Sequence, residues 1–127
     1  MQNIDFLSET EALGVYPFEI AHNTNTHITD VEAMLLGKLA VSESVAKYIQ
    51  SVRSFFDKQM LEALEHYQKS DQADGEAYLI STYLTYNEFK KSESINKFPN
   101  ERSHRIWSIQ LRQKINELGG NAKLLAA

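Results

Sequence analysis

The sequence predicts an all-α fold: a single domain of four to five helices packed around one long central helix at about residues 42–69. Three observations carry that expectation. Only two prolines and five glycines interrupt 127 residues, so the usual helix breakers are sparse. From Ser42 onward, Val45, Tyr48, Ile49, Val52, Phe55, Phe56, Met60, Ala63 and Tyr67 share one stripe at about 100° per residue. Lys47, Ser51, Ser54, Lys58, Glu62 and Glu65 lie away from that stripe. Finally, the length suits one domain, which at this size buries roughly two-thirds of its unfolded-chain surface.

The elements follow in order. A short first helix begins near Asp5 and ends at Gly14. Residues of about 14–28 read as irregular or extended, because Pro17 biases Tyr16 toward β geometry and His22–His27 is polar and turn-prone. Thr29 with Glu32 fits a capping box, opening a helix to about Leu39 with Val31, Met34, Leu35 and Leu39 on one side. Ser42 caps the long helix. Asp71 or Asp74 caps the next one. The stretch AYLISTYLTYNEF is rich in strand formers. Its poor alternation and its length nevertheless favour a helix over about Glu76–Lys91. Pro99 suits the first turn of a final long helix, which runs to Leu118 with Gly119 as its C′ residue. Asn121 would then cap a last short turn, Ala122–Ala127.

Composition narrows the function classes. There are no cysteines, which removes disulfides, thiolate nucleophiles and cysteine metal sites. The N-terminus lacks a basic and then apolar leader, and no apolar run approaches the ~20 residues of a membrane span. A cytoplasmic protein with no membrane partner is expected. The net charge of −4 is uneven: residues 1–68 carry four basic and ten acidic side chains, residues 69–127 nine and seven. An acidic front half argues against general polyanion binding.

Chemistry-bearing patterns are few. His22, His27 and Asp30 have no recognised ligand spacing, and an exposed loop explains them. Glu101-x-x-His104 has the spacing of a di-iron helix, which needs two such copies and two more glutamates; one copy is present. Glu62, Glu65 and His66 share a surface, which a solvated helix face explains. No nucleophile elbow, phosphate loop or triad signature occurs. No cofactor, metal or catalytic residue is assigned, and a non-enzyme is expected.

Two surfaces remain. On the last helix, His104, Trp107, Leu111, Ile115 and Leu118 form the core face, while Arg102, Arg105, Ile109, Arg112, Gln113 and Asn116 form the opposite face. Arginines there suit bidentate carboxylates or phosphates, and Ile109 favours a protein partner. Tyr78 and Phe89 project away from the apolar half of their helix and offer an exposed aromatic pair. The stretch INELGGNAKLLAA, Ile115–Ala127, resembles the start of a phage-repressor helix-turn-helix, with a helix end, a glycine and an alanine- and leucine-rich second helix. That resemblance implies a following recognition helix, which is not in the sequence, and no family is assigned. The expected function is a small protein-binding module of inhibitor, immunity or adaptor type that occludes a partner protein; a homodimer is compatible with it. The alternative is a nucleic-acid-associated regulator using Arg102, Arg105, Arg112 and Lys114. A third reading, a helical metal protein or enzyme, would use Glu62, His66, Glu101 and His104.

Overall fold

The computed structural model describes residues 1–70, 76–92 and 97–126. The expected caps Asp71 and Asp74 lie outside these residues. The chain is mostly helical, with six helices among the described residues and one two-stranded parallel sheet. It is therefore not purely all-α as expected. It divides into two compact units, Met1–Phe55 and Phe56–Ala127.

In the first unit, α1 (Asn3–Leu13) buries Phe6, Thr10 and Leu13 and ends at Gly14, as the sequence predicts. The expected extended segment is corrected. Tyr16 is extended, but Pro17 is the first residue of α2 (Pro17–Thr24). Proline's fixed φ and missing N–H suit that position, and the Glu19 carboxylate accepts the Tyr16 N–H at 2.9 Å. The polar run belongs to this helix because its side chains bond back to helical carbonyls. Asn23 Nδ2 donates to Glu19 O at 2.8 Å, and Thr24 Oγ1 donates to Ile20 O at 2.6 Å.

Asn25, left-handed at φ 52°, turns the chain into α3 (Ile28–Leu35). The helix starts before the expected Thr29 cap; His27 is its N-cap and makes no side-chain cap bond. It also stops short of Leu39, because Gly37 adopts φ 75°, a conformation that costs glycine little and ends the helix. Val31 and Met34 are buried as expected, whereas Leu39 is exposed. Asn3 Nδ2 donates to both Met34 O and Leu39 O at 2.8 Å, tying the start of α1 to the end of α3. Arg53 grips Glu9 with two bonds of 2.7 and 2.8 Å, and these hold the Glu9 carboxyl below its ordinary pKa.

The long helix α4 (Glu43–Lys69) follows the sequence closely. Ser42 Oγ accepts the Val45 N–H. Val45, Ile49, Val52, Phe56 and Met60 are buried, and Tyr48, Phe55, Ala63 and Tyr67 half-buried. Lys47, Ser51, Ser54, Lys58, Glu62 and Glu65 are all exposed. The unit boundary falls within α4, so its first half belongs to one core and its second half to the other.

The second unit is where expectation and structure part. Tyr78–Thr82 is a strand, β1, not a helix. It turns Ile80 and Thr82 inward and Leu79 and Ser81 outward. The exposed Leu79 is what spoils the apolar–polar alternation in the sequence. Thr85 Oγ1 then accepts the Glu88 N–H and caps the short α5 (Tyr86–Lys90). Asn100 is the N-cap of α6 (Glu101–Glu117), so Pro99 precedes the helix rather than standing in its first turn.

The expected last helical turn is a strand as well, β2 (Ala122–Ala126), so the helix-turn-helix resemblance fails there. Gly119, at φ 87°, occupies C′ as predicted. At Gly120 an added Cβ would run into the Tyr67 phenol and lie 2.7 Å from Ile115 Cγ2. The chain thus hugs α4 and α6 and emerges extended beside β1. The pairing runs Tyr78↔Ala122, Ile80↔Leu124 and Thr82↔Ala126. No helix of the described residues is long and apolar enough to cross a membrane.

Phe56 is 2% exposed and meets Phe98 edge-on at 5.7 Å. Phe56→Ala should cost about 3–5 kcal/mol in thermal or denaturant unfolding, the range for a buried aromatic. Leu61→Ala, at an exposed position of the same helix, should stay within about 0.5 kcal/mol of the parent. Equal losses at the two sites would place α4 in a different rotation.

Candidate interaction surface

The surface is built on α6. Asn100 Oδ1 accepts the Ser103 N–H at 2.8 Å and starts the helix. Its inward face buries Ser103, His104, Trp107, Ser108, Leu111 and Ile115. Four of these are residues the sequence places in the core. Leu118, the fifth, is exposed because it is the C-cap and lies beyond the packed turns.

His104 sits among aromatic rings: Phe98 at 4.7 Å, Tyr83 at 5.0 Å, Trp107 at 5.7 Å and Phe89 at 6.4 Å between centroids. Burial in that setting removes the solvation of the imidazolium and lowers the pKa from 6.5 to about 4. The ring is therefore neutral at pH 7. Ser108 Oγ donates to His104 O at 2.8 Å and lies 3.3 Å from both His104 Nδ1 and Ser81 O. Helix, imidazole and strand thus share one buried hydroxyl. Thr82 Oγ1 and Trp107 Nε1 are buried with no hydrogen-bond partner among the described residues.

These contacts give the sequence's chemical patterns their surroundings. His104 of the Glu101-x-x-His104 pair is packed among rings rather than beside carboxylates. His66 Nδ1 lies 2.6 Å from Tyr78 Oη, so its partner is a phenol and not Glu62. Among the described residues, no three His, Asp or Glu side chains converge as metal ligands.

The arginine face is partly reassigned. Ile109 is 41% exposed and Gln113 exposed, while Arg102, Arg105 and Arg112 are half-buried along the flank. Arg105 Nη1 donates to Tyr83 O at 2.8 Å, so this side chain pins the chain leaving β1 to α6. The expected aromatic pair does not form. Phe89 is 1% exposed and packs edge-on against Tyr83 at 5.9 Å. Tyr78 is half-buried, bonded to His66 and edge-on to Tyr67 at 5.2 Å. Tyr78 stands on a strand and Phe89 on a separate short helix, so the two do not share a helical face.

A surface missed in the sequence lies on the far side of the sheet. Leu79, Ser81, Lys123 and Leu125 are all exposed, and their positions in the register put them on one face. Leu79 is 60% and Leu125 54% exposed. The only signal was the period-two placement of Tyr78, Ile80 and Thr82. The chain matches no protein-family model and no curated protein.

The low pKa of His104 makes stability depend on pH. The unfolded chain binds a proton near pH 6.5, whereas the folded one binds it near 4. Stability is thus full above about pH 6.5 and falls as the pH drops toward 4. Between pH 7 and 5 the loss should be about 2 kcal/mol. Chemical denaturation at both pH values checks this, with His104→Leu as the comparison. The variant should lose most of that slope, and a wild-type stability unchanged over this interval would show that water reaches the imidazole.

Proposed function

We propose that this chain is a non-enzymatic protein-binding module of inhibitor, immunity or adaptor type, and that it works by covering a partner protein's surface. The observation that carries the proposal is the bare outer face of the β1–β2 sheet. Parallel sheets are characteristically covered on both faces. Here α6 lies against one face and Leu79, Ser81, Lys123 and Leu125 stand exposed on the other. A two-stranded sheet is marginal by itself, and exposed leucines on such a face are the composition of a recognition core. Ile109 and Gln113 on α6 supply further exposed positions. The cysteine-free composition suits a reducing cytoplasm.

Nucleic-acid binding is the weaker reading. Arg105 is engaged with Tyr83 O, which draws one of the arginines away from phosphate.

Covalent cross-linking in cells of the native host, followed by capture of the tagged protein, tests the proposal. Leu79→Asp with Leu125→Asp should leave the helical circular dichroism intact and reduce the captured partner by at least about tenfold, since a charge is then buried in the contact. Ile109→Asp should weaken capture further if α6 joins the same interface. Undiminished capture by the double aspartate variant would eliminate the sheet face. Retention on nucleic acid, falling by about one logarithmic unit of slope per phosphate contacted, would favour the other reading.

A further inference from the structure

We propose that the outer edge of β2 is a strand-docking edge, and that its occupant is an extended segment of a partner protein carrying an acidic side chain opposite Lys123. This rests on the protein-binding reading above and specifies what the partner presents.

In a parallel ladder each residue turns its N–H and C=O to the same side, and successive residues alternate sides. Tyr78 donates its N–H to Asn121 O at 2.8 Å. With Tyr78 opposite Ala122, the main-chain groups of Tyr78, Ile80 and Thr82 face β2, and those of Lys123 and Leu125 face β1. Leu79, Ser81 and Tyr83 therefore turn outward beyond β1. Ala122, Leu124 and Ala126 turn outward beyond β2.

The two edges are treated differently. On the β1 side α6 closes the edge: Ser108 Oγ lies 3.3 Å from Ser81 O, and Arg105 Nη1 donates to Tyr83 O at 2.8 Å. On the β2 side Asn116 Oδ1 accepts the Ala122 N–H at 2.8 Å. Beyond that point nothing among the described residues takes the Leu124 N–H, the Leu124 C=O or the Ala126 N–H. Donor, acceptor and donor follow at strand spacing. Another extended backbone matches that pattern, whereas a helix has already used its own groups. The unclosed edge thus selects a strand.

The side chains select its chemistry. Lys123 is exposed beside Leu79 in the register, with Leu125 two residues on. An acidic residue directly across from Lys123 makes a favourable cross-strand pair, and apolar residues on either side cover the leucines. A second copy of the chain fits less well. Antiparallel self-pairing centred on Leu124 sets Lys123 opposite the copy's leucine, leaving the charge unmatched, and each copy carries a net charge of −4.

The test uses the full chain, isotope-labelled for NMR, and two capped peptides of about seven residues, the length of an ordinary strand. Each carries valine two residues to either side of a central position, which is glutamate in one peptide and lysine in the other. The glutamate peptide should bind, and at saturation the amides of Leu124 and Ala126 should exchange at least about tenfold more slowly. The lysine peptide should bind at least about tenfold more weakly, and Lys123→Glu should reverse that order. Leu124→Pro removes only the outward donor and leaves the β1–β2 ladder bonds in place. It should abolish binding while the circular dichroism persists; if that variant unfolds, the Lys123→Glu comparison decides.

Equal affinity for both peptides, binding without protection at Leu124 and Ala126, or no binding of either overturns the proposal. Protection at Leu124 that rises with protein concentration alone would put a second copy on the edge and overturn the partner assigned here. Loss of partner capture by the double aspartate variant, together with a negative peptide result, would retain the protein-binding reading and reject the strand edge.

Discussion

Two parallel strands cannot be joined by a tight turn; the chain must leave the end of one strand and return to the start of the next. That constraint organises the second unit. The return path from β1 to β2 is α5 and α6, and the helix that makes the crossing also covers the sheet's inner face. Three bonds of the unit serve this closure. Arg105 holds the exit of β1, Ser108 reaches the carbonyl of Ser81, and Asn116 receives the first outward N–H of β2. Gly120 lets the chain pass against Tyr67 and Ile115 where any larger residue would be displaced. A five-residue strand pair is marginal by itself, so α6 and the aromatic cluster below it supply the stability.

That cluster carries a cost. His104, Ser108, Thr82 and Trp107 bring polar atoms into an apolar setting, and two of those atoms lack a partner among the described residues. Buried polar groups left unpaired cost about 1–3 kcal/mol each. The rings of Phe98, Tyr83 and Phe89 offset this by burying large apolar areas around the imidazole. The same arrangement keeps His104 neutral at pH 7 and makes it part of the packing. Among the described residues the sheet's outer face has no comparable cover.

The sequence exposes α4 almost completely, because a nine-position stripe over seven turns has a single geometric solution. The ends of α1 and α6 were legible for a similar reason: Gly14 and Gly119 mark a left-handed residue that other side chains avoid. The two strands were hidden. AKLLA has helical propensity and becomes a strand only because Gly119 and Gly120 deliver it beside β1; tertiary pairing overrides local preference there. In β1 the exposed Leu79 breaks the alternation that would identify the strand. No single helical wheel holds Tyr78 and Phe89, since a strand, a turn and a short helix carry them. Arg102, Arg105 and Arg112 lie half-buried on α6, and the main-chain bond of Arg105 depends on where β1 ends, which the wheel of α6 does not contain.

The parallel pairing of β1 with β2 is the element on which the unit, its exposed face and its open edge all depend. Backbone through-space contacts in the isotope-labelled chain test it most directly. Parallel register requires close contacts between the Lys123 amide and the Leu79 α-proton, and between the Leu125 amide and the Ser81 α-proton. Their presence, with slow exchange of the Lys123 and Leu125 amides relative to Leu124, is the predicted result. Helical contacts three residues apart through Ala122–Ala126, with no cross-strand pair, would contradict the account at its centre.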